Sequence, residues 1–286
     1  MITMRYEVYG LIAALSFGLN AVLVRKALRH TTPATATISV AAVQTLILST
    51  LLVFDLPAFN LEAVGYFIAA GFLAAILGRT FNYMSIEKLG VPVSTSLVGT
   101  NPLWAMILGV VFLGEVMTLS TISGSILVVV GVALISGWGK DSNLNLRDMG
   151  IPLASAFFYA ASSAVRKIGL NILPESILGA VVGAMTGLIA YPILMRLIGR
   201  TNEFKFSRKS APFLIAGGIT TSIAWISMFM ATQQGPVGVV SAIIGANPLF
   251  GLVLSVVLLK DTESITPQVI IGCLTIVAAV IVITLF

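Results

Sequence analysis

The chain has 286 residues, of which 58% are hydrophobic and only 9% charged, with a mean hydropathy of +1.05. Soluble domains carry about 25% charged residues, and none of this size can hide so much apolar surface, so the composition excludes a soluble fold and makes the bilayer the solvent. The net charge of +5 does not mark a nucleic-acid partner, because the basic residues are spread over short loops, the pattern that orients helices in a membrane.

About 20 apolar residues cross the hydrocarbon core as a helix. On that measure the sequence predicts ten transmembrane helices, at roughly 8–28, 34–54, 63–86, 91–113, 117–137, 149–169, 175–198, 211–232, 237–259 and 265–286. The first reads as a span and not as a secretory signal. Its apolar stretch from Val8 to Val24 is too long, and Arg25-Lys26 stand where a cleavage site would lie. Ser16 and Asn20 share one of its faces, and His30 follows in a basic loop. Gln44, at mid-depth in the second span, reads as a bond to a neighbouring helix.

The third span carries Arg79, the charge placed deepest in any predicted span. A charge there costs about 2.5–3.5 kcal/mol on insertion scales, so it must face protein or water. Asn82 and Tyr83 follow three and four residues later on the same helix face. The fourth span contains Gly99-Thr100-Asn101-Pro102-Leu103, with Trp104 next to it, and ends at Glu115. Proline lacks the N–H that a helical turn needs and clashes with the carbonyl four residues back. Lipid cannot satisfy the carbonyl freed at Val98, so such a break belongs against protein or a watery cavity.

In the sixth span Ser155, Tyr159 and Ser163 recur every four residues, and Arg166-Lys167 close it. Gly179, Gly183 and Gly187 form a small-residue row in the seventh, suited to close helix approach within the chain or in a homodimer. The eighth holds Trp225, Met228 and Phe229. The ninth repeats the break as Gly245-Ala246-Asn247-Pro248-Leu249, freeing Ile244, and ends at Asp261. The single cysteine, Cys273, lies in the last span, so no intrachain disulfide forms and the redox compartment is undetermined.

These features form a duplication. Val24-Arg25-Lys26 matches Val165-Arg166-Lys167 at an offset of 141, and Gly99, Asn101, Pro102 and Leu103 match Gly245, Asn247, Pro248 and Leu249 at an offset of 146. Glu115 corresponds to Asp261. The division is a first repeat over 1–138, a connection over 139–149 and a second repeat over 150–286. Five spans per repeat is an odd number, so the second copy is inverted relative to the first. Matching helix breaks in two such halves are the best sequence-level pointer to a transport site near mid-membrane.

The run Asn82-Tyr83-Met84-Ser85-Ile86-Glu87-Lys88-Leu89-Gly90, together with Pro102 thirteen residues before Glu115 and Pro248 thirteen before Asp261, resembles the EamA-type carriers of the drug/metabolite transporter superfamily. The resemblance spans essentially the whole chain. It implies an all-α integral membrane protein, with two inverted five-helix repeats around a central cavity, in a prokaryotic plasma membrane. It also implies a metabolite as cargo: an amino acid, a nucleoside, a sugar, an organic anion or a choline-like compound. Such carriers have cytoplasmic termini, whereas twelve of the sixteen Lys and Arg fall on one side of the ten spans against Arg5, Arg166 and Lys167 on the other, which puts both termini outside. Small multidrug relatives carry a glutamate in the first span where this chain has Gly18. Without that acid, the resemblance weighs against cationic drug export and proton antiport and favours a facilitator, exchanger or exporter.

The residues expected to meet solute are Asn20, Arg79, Asn82, Tyr83, Asn101, Trp104, Tyr159, Ser163, Trp225 and Asn247, with Pro102 and Pro248 as the helix breaks. Arg79 has two readings: a rigid fork of donors clamping an anion, or a structural group bonding the carbonyls near Pro102. At an offset of 146, Trp225, Met228 and Phe229 stand opposite Arg79, Asn82 and Tyr83, which gives one polar wall and one aromatic wall. No span holds Asp, Glu or His near its middle, which argues against an intramembrane enzyme, and no Cys/His cluster offers a metal site. No cofactor is expected. The partners are a small-molecule solute and membrane lipid. A channel is the remaining alternative, and it would want rings of charge or carbonyl filters.

Overall fold

The computed structural model describes residues 5–52, 58–135, 146–259 and 267–285. Asp261, residues 139–145 of the expected connection, and the side chain of Cys273 lie outside the described residues. The regular elements among the described residues are all helical, with no strand. In chain order the helices are α1 (Tyr6–Leu28), α2 (Pro33–Leu52), α3 (Leu61–Gly71), a π-helical segment Phe72–Gly78, α4 (Arg79–Val98), α5 (Asn101–Leu113) and α6 (Leu119–Ile135). They continue as α7 (Leu146–Ile172), α8 (Ser176–Leu197), a 3-10 turn Thr201–Glu203, α9 (Ala211–Gln234), α10 (Val237–Ile244), α11 (Asn247–Leu259) and α12 (Pro267–Leu285). Six helical stretches among the described residues are long and apolar enough to cross a membrane, and Asn101–Leu113 and Leu119–Gly131 are shorter apolar helices.

Local chemistry sets the ends. Thr32 Oγ1 accepts from Thr35 N at 3.2 Å ahead of Pro33, and Asn60 Oδ1 accepts from Ala63 N at 3.1 Å, so α2 and α3 both start on side-chain caps. Gly114, at φ 64, ends α5 in the left-handed conformation that glycine adopts without penalty. At Gly90, with φ 79 and ψ 173, the run of α4 turns a corner. Ser85 and Ser94 hydroxyls hydrogen-bond across that corner. The offset of 146 maps it onto Gly235-Pro236, the link from α9 to α10.

The two proline sites are not kinks within continuous spans. Each is the start of a new helix, where a missing N–H costs nothing. In the first half, Thr100 N donates to Leu97 O at 3.2 Å and Leu103 N to Thr100 O at 3.1 Å. In the second, Ala246 N donates to Ile243 O and Leu249 N to Ala246 O, both at 3.1 Å. Pro102 and Pro248 are both buried, so neither break faces lipid.

The halves interlock more than they stand apart. α1 packs on α9 and on α11, and the reciprocal pairings follow, with α7 against α3–α4 and against α5. α2 packs on α8 and α6 on α12, each on its own counterpart. A Cβ at Gly131 would stand 2.8 Å from the carbonyl of Gly272, so α6 and α12 cross in close contact. The pairing pattern thus maps onto itself when the halves are exchanged. The glycine row of α8 is consumed inside the chain: Cβ atoms would come within 2.6 Å of Phe229 at Gly179, 2.8 Å of Trp225 at Gly183 and 2.7 Å of Ala75 at Gly187. It offers no free face for a second copy. The outward surface is Leu, Ile, Val and Phe, as at Leu46, Val111, Leu197 and Leu274, as a lipid-facing surface requires.

Candidate functional site

Between the halves lies a cavity of about 100 Å³. Both helix breaks open onto it: Val98, Gly99 and Asn101 from the first, Ile244, Gly245 and Asn247 from the second. The freed carbonyls named above therefore belong to residues on a chamber wall. The breaks also touch, since a Cβ at Gly245 would fall 2.8 Å from Pro102 Cγ.

The deepest wall is built by the irregular stretch before Arg79. A π-helical turn widens the ladder and leaves carbonyls in need of donors, and α7 supplies them. Ser162 Oγ donates to Ala70 O and Ser155 Oγ to Gly78 O, both at 2.8 Å. Tyr159 packs on Gly78, where a Cβ would approach its ring to 2.7 Å. Immediately after this segment, Arg79 is 3% exposed. Its Nη2 donates to Gln44 Oε1 at 2.6 Å, and its guanidinium lies 5.5 Å from the ring centroid of Trp225. The repeat-related positions Arg79 and Trp225 are thus in cation–π contact on the chamber wall. Nη1 of Arg79 has no hydrogen-bond partner among the described residues.

Nine of the ten expected residues line this one chamber: Asn20, Arg79, Asn82, Tyr83, Asn101, Tyr159, Ser163, Trp225 and Asn247. Their commitments differ. Asn20 is a brace, with Nδ2 donating to Gly217 O at 3.0 Å and to Thr221 Oγ1 at 2.8 Å, while Oδ1 accepts from Tyr83 at 3.3 Å. Trp104 lies apart, 41% exposed and edge-on to Phe157 at 5.5 Å. The inward stripe of α5 runs through Pro102, Ala105 and Gly109, and a residue two positions beyond Pro102 is turned about 200° away from it.

Arg166 corrects the sequence reading. Expected among the charges at a span end, it is 2% exposed and lines the chamber. Its Nη2 donates to Ser163 Oγ at 2.8 Å, its guanidinium lies 5.0 Å from the Phe229 ring, and Nε has no partner among the described residues. The signal was present: Arg166 stands three residues after Ser163 and extends the Ser155–Tyr159–Ser163 row. Phe17, Thr221 and Ser241 also line the chamber. Each sits three or four residues from a recognised position, namely Asn20, Trp225 and Gly245.

Among the described residues no carboxylate lines the chamber, and the ion pairs there, Lys88–Asp148 and Arg200–Glu203, involve partly exposed side chains that are not part of its lining. Glu115 caps a helix in the opposite half, accepting from Val237 N at 2.7 Å and Gly238 N at 3.3 Å at the start of α10. Gly18 packs against the α11 backbone, where even a Cβ would fall 2.7 Å from Gly251 N, so an acid has no room there.

An all-helical, lipid-faced fold whose two halves close around a polar chamber is that of a membrane transporter of the drug/metabolite type. The model of the EamA-like transporter family matches residues 4–137 and again 149–285, and the chain belongs to that family as two tandem repeats. A solved structure described only as "Crystal structure of protein" is similar over 99% of this chain and 98% of its own, with 16% identity and a TM-score of 0.79, a likeness of fold. No curated protein matches the chain.

Proposed function

We propose that the chain is a carrier of a small metabolite bearing an anionic group next to an apolar or aromatic portion, working by alternating access in a prokaryotic plasma membrane. Its repeats, 1–138 and 150–286 joined by 139–149, are read as inverted five-span copies that rock about the shared chamber. The observation that carries the reading is the chamber itself: both helix breaks open onto it, and Arg79 lines it with no carboxylate among the described lining residues. Arg presents a rigid fork of donors suited to a carboxylate. The Trp225 ring beneath it suits the apolar remainder of an amphipathic solute. A cationic cargo would find no counter-charge among the described lining residues.

The test is solute counterflow in liposomes reconstituted with the purified protein, screened over carboxylates, neutral sugars, nucleosides and organic cations. Saturable counterflow of a carboxylate that is lost in Arg79→Gln supports the reading. Flux that neither saturates nor shows counterflow marks a pore and rejects it, as does transport restricted to cations.

A further inference from the structure

We infer that the cargo is a dianion, held by Arg79 and Arg166 acting as a pair. The inference rests on the carrier reading above and deepens it from one charge to two. Arg79 and Arg166 are 3% and 2% exposed, and both line the same chamber. Each is held on one side: Arg79 through Nη2 to Gln44 at 2.6 Å and Arg166 through Nη2 to Ser163 at 2.8 Å. Each keeps one buried nitrogen unpartnered among the described residues, Nη1 on Arg79 and Nε on Arg166.

The two guanidiniums rest on neighbouring platforms. Arg79 lies 5.5 Å from the Trp225 ring and Arg166 5.0 Å from the Phe229 ring. Those rings sit one turn apart on α9, with centroids 6.0 Å from each other. A buried, unpaired cation is costly, and two in one low-dielectric chamber repel each other as well. A monoanion neutralises one and leaves the other. A solute with two negative charges, a dicarboxylate or a phosphate monoester, neutralises both. A zwitterionic amino acid would bring its ammonium group into a chamber that already holds two cations and, among the described residues, no acid.

The experiment compares matched solutes in counterflow by the full-length protein in liposomes: phthalate against benzoate, succinate against succinamate, and phenyl phosphate as the phosphate arm. Wild-type protein is expected to exchange the dianion of each carboxylate pair with a half-saturation concentration at least ten-fold below that of its monoanion. Phenyl phosphate decides between a carboxylate and a phosphate cargo. Arg166→Gln is expected to bring each pair within about two-fold by weakening the dianion alone, and Arg166→Lys to retain part of the preference. Equal handling of dianion and monoanion by the wild type overturns the inference and leaves the single-charge reading standing. An Arg166→Gln variant that weakens both solutes equally does the same. Exchange of neutral or cationic solutes with no anion exchanged overturns both readings. The wild-type comparison decides by itself if the variants fail to fold.

Discussion

The two repeats share a backbone plan and diverge where they face the chamber. The shared part includes how each third span ends. In the first repeat Arg25 donates to the carbonyls of Ile86 at 2.8 Å and Glu87 at 3.0 Å. In the second, Lys167 donates to Thr232 at 2.8 Å and to Gly235 at 3.0 Å. Ile86 and Thr232 are the same position at an offset of 146, and a cation over the last carbonyls of a helix is favourable in both. The basic pair has exchanged roles, however. In the first repeat the arginine caps and Lys26 lies over Phe213 at 5.8 Å. In the second the lysine caps, which frees Arg166 to turn into the chamber. The facing walls diverge likewise, Arg79-Asn82-Tyr83 against Trp225-Met228-Phe229. The difference separates what holds the scaffold from what lines the chamber.

The largest effect that tests this division falls on the charged wall. Arg79→Gln is expected to lower counterflow about 100-fold, the loss of roughly 3 kcal/mol for hydrogen bonds to a charged group, with the protein still monodisperse. A variant retaining wild-type exchange would place the anion elsewhere. Next is a pair of repeat-related glycines. A Cβ at Gly71 would fall 2.6 Å from Gly183 Cα, whereas at Gly217 the nearest atom is Asn20 Nδ2 at 3.3 Å. Backbone cannot step aside, so Gly71→Ala is expected to destabilise by about 1–3 kcal/mol. Gly217→Ala, which asks only a side chain to shift by a few tenths of an ångström, should cost less, and thermal unfolding in detergent reads the contrast. Equal losses would mean that the two interfaces are packed alike.

Much of this division was legible in the sequence because it rests on few residue types in an apolar background. Asn-Pro within a long hydrophobic run, and an arginine inside a span, can hardly occur there by drift, and they marked the chamber from both sides. Arg166 was assigned to a span end because an Arg-Lys pair at a helix end is the ordinary signature of a loop. Only the packing shows that one of the pair bends inward while the other caps. Trp104 adjoins the helix break in sequence but stands two residues beyond Pro102, which turns it about 200° around α5 from the buried stripe of Pro102, Ala105 and Gly109. The contact between Pro102 and Gly245, and the closure of the π-helical segment by Ser155 and Ser162, depend on which helices become neighbours. No local pattern encodes that.

The exchanged capping roles make a smaller prediction. Arg25→Met and Lys167→Met should each cost about 1 kcal/mol, read as a fall in thermal unfolding temperature, with half-saturation constants for solute unchanged. A variant that keeps its stability and loses affinity would move that cation from the scaffold to the site.

The smallest expected effect belongs to Trp104, and it is the sharper for that. Trp225→Ala removes the platform beneath Arg79, and cation–π pairs in desolvated sites are worth up to about 2 kcal/mol, so exchange should fall by about ten-fold. Trp104 has the same chemistry but is 41% exposed on the outer face of α5, with Phe157 as its neighbour, itself 40% exposed. Trp104→Ala is therefore expected to leave exchange within about two-fold of wild type. A loss matching that of Trp225→Ala would require α5 to present Trp104 inward in the working carrier. The stripe through Pro102, Ala105 and Gly109 would then not be the face on which the two repeats meet.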